Sequence, residues 1–171
     1  FQTDLSGHLT IVSPSSVKMY GYQSPDELIG QSADNLYFDN NERTVLLSLL
    51  RSAGRAEDYV CQGRKSDGSP FWISMNVQFL YGDDGHVSGT EGVVRDISER
   101  IKVEKALGES EEKYRIMVEL MPDAVIIHEG GKIVFANAAA LKAVGADSFE
   151  QLVERPLMDY VHNDYKTISL N

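Results

Sequence analysis

The sequence predicts an α+β fold in which a five-stranded antiparallel sheet is flanked by short helices. The chain begins with two strand segments joined by a turn at Ser6-Gly7, a pattern typical of a β-hairpin. Helix-start signals follow at short intervals, and three further strand segments then occupy residues 57–65, 71–81 and 87–97. Turn-forming residues separate these three segments, which favours antiparallel pairing between neighbours.

The middle segment indicates which side of the sheet is buried. From residue 71 to residue 79, every second residue is apolar, beginning with Phe71. The residues between them are Trp72, Ser74, Asn76 and Gln78. Successive side chains of a strand point to opposite faces, so this alternation predicts a half-buried strand with one apolar face.

The predicted helices have recognisable starts. Ser13-Pro14 combines an N-cap residue with a proline at the first helical position. Ser24 and Glu27 form a capping box, in which we expect the Glu27 carboxylate to accept a hydrogen bond from the Ser24 amide. A longer helix is predicted over residues 42–53, where apolar residues recur at helical spacing.

The first part of the chain recurs at its end. An offset of 124 residues aligns residues 1–47 with residues 125–171 without a gap, and Asn137 then occupies the position of the helix cap Ser13. This repeat predicts a second copy of the hairpin and the short helices. The identities are Gly7 with Gly131, Lys18 with Lys142, Gly21 with Gly145, Ser24 with Ser148, and Leu28 with Leu152.

Composition argues against several classes of function. The formal net charge of −10 opposes binding to nucleic acid. A single cysteine, Cys61, excludes a disulfide within the chain and a multi-cysteine zinc site. No apolar run approaches the roughly 18 residues that span a bilayer, so we expect no membrane contact by this segment. The single cysteine makes a reducing cytoplasm the expected location. A full-length protein anchored in a membrane elsewhere is compatible with this expectation.

The order of these elements and several short strings of residues resemble the PAS domain family. The resemblance covers nearly all of the chain, and the order and spacing of the strings together are specific. Ser98 stands where the D-I-T segment that closes PAS domains has threonine. The matching strings are Gly21-Tyr22, residues 24–30, Asp67-Gly68 before Phe71-Trp72, residues 92–100, and residues 110–115 followed by residues 121–124.

The resemblance implies three segments. Residues 1–97 are expected to form a PAS domain that lacks its N-terminal lead-in helix, and residues 98–121 a helical connector. Residues 122–171 are expected to form the N-terminal half of a second PAS domain, without the three strands that would complete its sheet. Such a half-domain would expose a sheet edge and an apolar face.

The resemblance also implies a ligand pocket between the sheet and the helices. PAS domains hold haem, flavin, small carboxylates or no ligand in this space. The alternative interpretation is a packed core without a ligand, because apolar residues mostly fill space. The candidate pocket residues are Tyr59, Cys61, Gly63, Ile73, Met75, Val77 and Val94 on the strands, with Val45 and Leu49 on the opposite helix.

No cofactor is predicted for this pocket. The helix over residues 42–53 has no histidine, whereas haem-binding PAS sensors carry their ligand there. The N-C-R-F-L string of the flavin-binding light–oxygen–voltage subgroup is absent, and Cys61 lies in a strand without a neighbouring base, so we expect a buried, unreactive thiol. His162 lies in a stretch that resembles a helix junction of non-haem PAS domains, where a capping or surface role is expected. No metal site is predicted.

The connector is predicted to form a helix that begins at a signal junction of Asp96 and Ser98, with Asp96 and Glu99 as its capping pattern. One face repeats in steps of four and three, which predicts a parallel coiled coil in a homodimer. The alternative is an amphipathic helix that folds onto its own sheet. The seam residues are Val103, Leu107, Ser110, Tyr114, Met117 and Met121.

We therefore expect a non-catalytic sensory input region of a multidomain sensor, with a histidine kinase of a two-component system as the favoured parent. A small ligand or a partner would be detected by the first PAS domain, and the change would pass through the connector to an output domain outside this sequence. Two alternatives remain open at this point: a constitutive dimerisation scaffold without a ligand, and a haem or flavin redox module.

Overall fold

The computed structural model describes residues 1–153, which fold as two compact units. The first unit is Phe1–Glu104, and the second begins at Lys105. In chain order the elements are β1 Gln2–Asp4, β2 Leu9–Ile11, α1 Pro14–Met19, two 3-10 turns at Pro25–Glu27 and Ala33–Leu36, α2 Asn41–Ala53, β3 Arg55–Arg64, β4 Pro70–Tyr81, β5 Val87–Asp96, α3 Ser98–Glu119, β6 Ile126–Glu129, β7 Lys132–Ala136, α4 Ala138–Val144 and α5 Glu150–Val153.

The first unit is built on a five-stranded sheet in the order β2-β1-β5-β4-β3. All neighbouring strands are antiparallel, including β1 and β5, where Gln2 lies opposite Glu91. The first strand of the unit thus pairs with its last. The predicted α+β fold with a five-stranded antiparallel sheet and short helices is confirmed.

Strand β4 has the predicted alternation. Phe71, Ile73 and Met75 are buried, whereas Trp72 between them is 37% exposed. The buried side chains join one core with residues of β2, of the short helical segments and of α2. The apolar face of the sheet therefore packs against the helices.

Helix α2 presents a different face to this core from the one we predicted. Leu46 and Leu50 are buried, whereas Val45 and Leu49 are 49% and 40% exposed. The expectation that Val45 and Leu49 face the sheet is wrong. The buried face also carries Arg43, which lies one helical turn before Leu46 and forms an ion pair with a residue of the second 3-10 turn. This face of the helix includes a charged residue that the apolar pattern did not reveal.

The capping box predicted at Ser24 and Glu27 does not form, because the Ser24 side chain makes no capping hydrogen bond. The Glu27 carboxylate accepts a hydrogen bond from the Gln23 N–H at 3.2 Å and not from Ser24. At the repeated position, the Gln151 side chain accepts from the Asp147 N–H at 3.0 Å. The same contact thus appears at the same offset in both units, which supports the repeat.

The second unit repeats the hairpin and the first helix. β6 and β7 pair antiparallel, and α4 follows directly. Gly131 in the hairpin turn has a φ of 83°, as does Gly7 in the first hairpin, a left-handed conformation that favours glycine. The repeat also predicts a helix start at Asn163, the counterpart of Asp39, and both Asn163 and His162 lie outside the described residues. The core of this unit is formed by Ile133, Ala136, Ala140 and Leu152.

Helix α3 occupies most of the predicted connector, and none of its residues is buried. Five of the six predicted seam residues are between 42% and 64% exposed, from Met121 to Tyr114. The seam thus lies on an accessible surface in the single chain, and its role in a dimer stays a prediction. Among residues 1–153 no helix is both long and apolar enough to cross a bilayer.

Candidate functional site

The first unit encloses a small cavity between the sheet and the short helical segments. Its volume is about 30 Å³, which is room for a water molecule and far below the roughly 300–1,000 Å³ of drug-sized ligand pockets. Most of its walls come from the first hairpin and the short helical segments. The lining residues are Phe1, Leu9, Val12, Ser16, Tyr20, Leu28, Ala33, Leu36, Tyr37, Met75 and Val94.

Two of the predicted pocket residues, Met75 and Val94, line this cavity. Cys61, Ile73 and Val77 are buried in the surrounding core without lining it. The sequence interpretation missed the walls that the short helical segments supply, because their apolar residues follow no regular period that a pattern could detect.

An aromatic pair forms part of the core beside this cavity. The Tyr20 and Phe71 rings meet edge to face, with centroids 5.0 Å apart, an arrangement that aromatic pairs prefer. Gly63 on β3 makes room for this pair, since a Cβ atom there would lie 2.7 Å from the Phe71 ring. Gly63 therefore contributes space for packing, and it does not line the cavity.

Two buried tyrosine hydroxyl groups belong to cavity-lining residues, Tyr20 and Tyr37. Burial raises the pKa of both, so both are neutral at physiological pH. The Tyr37 hydroxyl donates to the Met75 Sδ at 3.9 Å, a weak interaction that a better acceptor could replace. Tyr20, Tyr37 and Ser16 are the cavity-lining residues that carry polar side-chain atoms.

Tyr59 has a structural partner outside the cavity. Its hydroxyl donates to the Glu42 carboxylate and to the Glu42 carbonyl oxygen, the latter at 3.2 Å. Burial and this hydrogen bond raise the pKa of Tyr59. The contact fixes β3 to the start of α2, and the cavity lining does not include Tyr59.

The Cys61 thiol is buried, as predicted. Its exposure is 2%. Burial raises the pKa of the thiol to about 12, with a smaller contribution from the Glu42 carboxylate. The thiolate is the reactive form of cysteine, so this environment opposes nucleophilic chemistry near neutral pH.

The predicted signal junction connects the sheet to the start of α3. The Asp96 carboxylate accepts from the Ser98 N–H at 2.8 Å. The Ser98 hydroxyl oxygen accepts from the Trp72 N–H at 2.9 Å, and the Ile97 N–H donates to the Trp72 carbonyl at 2.9 Å. The first helical residue is thus held to β5 through Asp96 and to β4 through Trp72, a partner that the sequence interpretation did not identify.

Nothing in the described residues forms a metal centre. No group of three or more histidine, cysteine, aspartate or glutamate side chains lies close enough to hold an ion within residues 1–153. His8 lies 3.7 Å from Asp4, and His86 lies 3.4 Å from Asp84, both in exposed turns. These histidines accompany turn structure.

Two family models match the chain. One, described as a PAS domain, matches residues 1–99, and another, described as a PAS fold, matches residues 112–170. Among solved structures, the PAS domain of a protein from Colwellia psychrerythraea is 26% identical, with a TM-score of 0.52 over 57% of this chain and 84% of that one. An RNA-binding light–oxygen–voltage receptor has a TM-score of 0.53 at 20% identity, over 65% of this chain and 33% of that one, which shows likeness of fold alone.

Curated relatives include two signalling proteins. Sporulation kinase A of Bacillus subtilis is 22% identical over 92% of this chain and 26% of its own length. The bacterioopsin transcriptional activator of Halobacterium salinarum is 28% identical over 67% of this chain and 17% of its own length. The chain thus spans about a quarter or less of the curated relatives it matches.

Proposed function

Because the chain belongs to the PAS domain family, we propose that its first unit detects a small ligand or a partner and passes the change through the Asp96–Ser98 junction into α3. The region is a sensory module and not a catalyst. The observation that carries the proposal is the pair of contacts that hold Ser98, one to Asp96 on β5 and one to Trp72 on β4.

Strand β5 is the route from the cavity to the helix. Val94 lines the cavity, and Asp96, two residues further along the strand, holds the first helical amide. A displacement of Val94 by an occupant therefore reaches the start of α3 over two residues of strand. The strand would then have two positions in equilibrium, one with the cavity empty and one with it occupied. A ligand shifts this equilibrium only to the extent that it binds one position more tightly than the other.

The size and lining of the cavity favour a small and largely apolar ligand with one polar atom for Tyr20 or Tyr37. At about 30 Å³ the cavity would have to expand greatly for haem or flavin, so a redox module is disfavoured. Expansion by a few atoms requires only that side chains of the short helical segments shift.

We infer that the full-length protein is a sensor kinase, with a transcription regulator as the alternative. The likeness to sporulation kinase A over 92% of this chain supports the first. The likeness to the bacterioopsin transcriptional activator supports the second. In either case the output domain would be driven by the connector.

A second candidate function is a constitutive dimerisation scaffold without a ligand. The exposed seam on α3 favours it, because Leu107 and Met117 are 58% and 50% exposed and apolar residues at this spacing pair in coiled coils. A homodimer through this seam is compatible with both functions, so ligand binding is what separates them.

Mass spectrometry separates the two functions. The chain is purified under native conditions, and its mass is compared before and after denaturation, together with an absorbance spectrum. A sensor should release a small molecule that Ala33→Val, which adds two carbon atoms to the cavity lining, excludes. Release of nothing from either protein would favour the scaffold, and haem or flavin absorbance would restore the redox module.

A further inference from the structure

Asn137 is a fully buried polar residue at the start of α4, with 0% of its surface exposed. Its side-chain oxygen accepts hydrogen bonds from two backbone amides, Val125 N–H and Ala140 N–H, both at 2.9 Å. Ala140 belongs to the first turn of α4, so this part of the interaction is an N-cap, as the sequence predicts. Val125 directly precedes β6. The oxygen thus joins the hairpin to the helix.

The amide nitrogen of the same side chain reaches back to the connector. Asn137 Nδ2 donates to the Val118 carbonyl at 3.0 Å and to the Asp123 carbonyl at 2.9 Å, with the Met121 carbonyl at 3.5 Å. Val118 lies in the last turn of α3, and its carbonyl also accepts from the Met121 N–H at 3.3 Å, just beyond the end of the helix. Asn137 adds a second donor to this carbonyl from the core of the same unit.

Comparison with the first unit separates these two roles. Ser13 occupies the same position in the repeat and caps α1, accepting from the Ser16 N–H at 3.2 Å. A serine hydroxyl is therefore enough for a cap at this position of the fold. Asparagine has an additional NH₂ group. In the second unit this group donates hydrogen bonds to carbonyl oxygens at the end of the connector and in the turn that follows it.

We propose that Asn137 is a positioning residue that fixes the C-terminal end of α3 to the hairpin β6–β7 and to α4, which follow it within the second unit. A displacement of the helix end reaches Val125 and Ala140 through one side chain. The inference rests on the proposed function, in which the connector carries the signal. The contact itself can be tested without a ligand and without a dimer.

Two substitutions separate the cap from the connection to the helix. Asn137→Asp keeps an oxygen for the Val125 and Ala140 amides and replaces the NH₂ donor by an oxygen that repels the Val118 carbonyl. Asn137→Ser keeps a capping oxygen, as at Ser13, and removes the donor without adding charge. Both variants therefore lose the helix contact and retain the cap.

A second substitution, Gly108→Ala, perturbs α3 so that its effect on the rest of the second unit can be measured. Gly108 lies in the middle of α3, and a Cβ atom there would meet nothing within 4 Å, so Gly108→Ala fits. Alanine favours the helix over glycine by roughly fivefold in its local equilibrium. Amide hydrogen exchange of the complete 171-residue chain is then measured for each variant with and without Gly108→Ala.

With Asn137 present, Gly108→Ala should slow exchange in α3 and also at the amides of Val125 and Ala140. In Asn137→Asp and Asn137→Ser, slowing should persist in α3 and vanish at those two amides. The proposal is overturned if the slowing reaches them equally with and without Asn137, or never reaches them. It is also overturned if both variants lose protection throughout residues 125–153, because Asn137 would then only stabilise the core. Absence of both a ligand and a partner would refute the proposed function and leave this comparison intact.

Discussion

The backbone N–H of Trp72 donates to the hydroxyl oxygen of Ser98 at 2.9 Å, and this contact continues the sheet into the connector helix. The β4–β5 pairing ends where Ile73 lies opposite Asp96. Beyond that point the chain turns into α3, so the next amide of β4 has no strand partner on that side. Ser98 supplies the missing acceptor and thereby joins the first helical residue to the central strands.

Asp96→Ala should loosen this junction without unfolding the first unit. The substitution removes the acceptor of the Ser98 amide and should cost about 0.5–2 kcal/mol, the usual cost of a lost helix cap. Ordinary domains have a stability of about 5–15 kcal/mol, so the fold should persist. Amide hydrogen exchange should rise at residues 97–104 and stay low in β4.

Asp84→Ala is the matched control for Asp96→Ala. Asp84 accepts from the His86 N–H at 3.0 Å, which is the same contact with the amide two residues further on, in the turn at the other end of β5. Its loss should leave residues 97–104 unchanged. If Asp96→Ala raises exchange uniformly across the sheet, Asp96 is a core element and not a junction.

Cys61 should make stability fall at alkaline pH. The pKa of the folded thiol is raised to about 12, whereas an unfolded cysteine titrates near about 8.5. A group whose folded pKa is raised contributes its full stability below the unfolded pKa and loses it as pH rises towards the folded pKa. From pH 8 to about pH 9.5 the wild-type chain should lose about 1 kcal/mol more than Cys61→Ala.

Urea unfolding at several pH values measures the free energy of unfolding of both proteins. Because only its change with pH is compared, the constant cost of the cavity that alanine leaves cancels. The other buried acidic groups, Tyr20 and Tyr37, are common to both proteins and cancel as well. Parallel pH curves for the two proteins would mean that the folded thiol titrates normally.

A single aspartate on the connector seam should dissociate the proposed homodimer. Met117 and the adjacent Ile116 are similarly exposed, at 50% and 47%. They lie about 100° apart around the helix, and only Met117 belongs to the seam. Met117→Asp would bury an unpaired carboxylate in a coiled coil, whereas Ile116→Asp adds the same charge outside the seam.

Light scattering at matched concentrations should therefore show a shift towards monomer for Met117→Asp and a dimer for Ile116→Asp. Equal association states for wild type and Met117→Asp would remove the coiled-coil prediction. Dissociation by both variants would point to general repulsion on an acidic chain.

The parts of the fold that follow a regular hydrophobic period could be predicted from the sequence. Which face of α2 is buried could not. Alternation along β4 predicts burial of Phe71 and Ile73 because a strand has only two faces. In α2, by contrast, the pairs Val45 with Leu49 and Leu46 with Leu50 are equally apolar. The face with Leu46 and Leu50 is the buried one, and it also carries Arg43, which pairs with Asp34 of the second 3-10 turn at 3.2 Å. Packing between these two elements has no signal in the apolar pattern of the helix alone.

The candidate site was predictable to a similar extent. Asp96 and Ser98 are adjacent to a helix start, where capping chemistry leaves a local signal. Trp72 is their partner only because β4 and β5 pair in one register, which no local pattern states. Tyr20 and Tyr37 line the cavity from short helical segments, so their convergence also depends on tertiary packing.

We propose that a change in the cavity reaches α3 through Asp96. Hydrogen exchange of three variants tests this route. Ala33 is buried and lines the cavity of about 30 Å³, so Ala33→Val places two added carbon atoms where a ligand would lie. Exchange is measured for Ala33→Val, for Asp96→Ala and for the double variant. We expect that Ala33→Val changes the exchange rate at residues 97–104 by roughly threefold or more, and that Asp96→Ala abolishes this effect. A change confined to the residues around the cavity, or one that persists without Asp96, would contradict it.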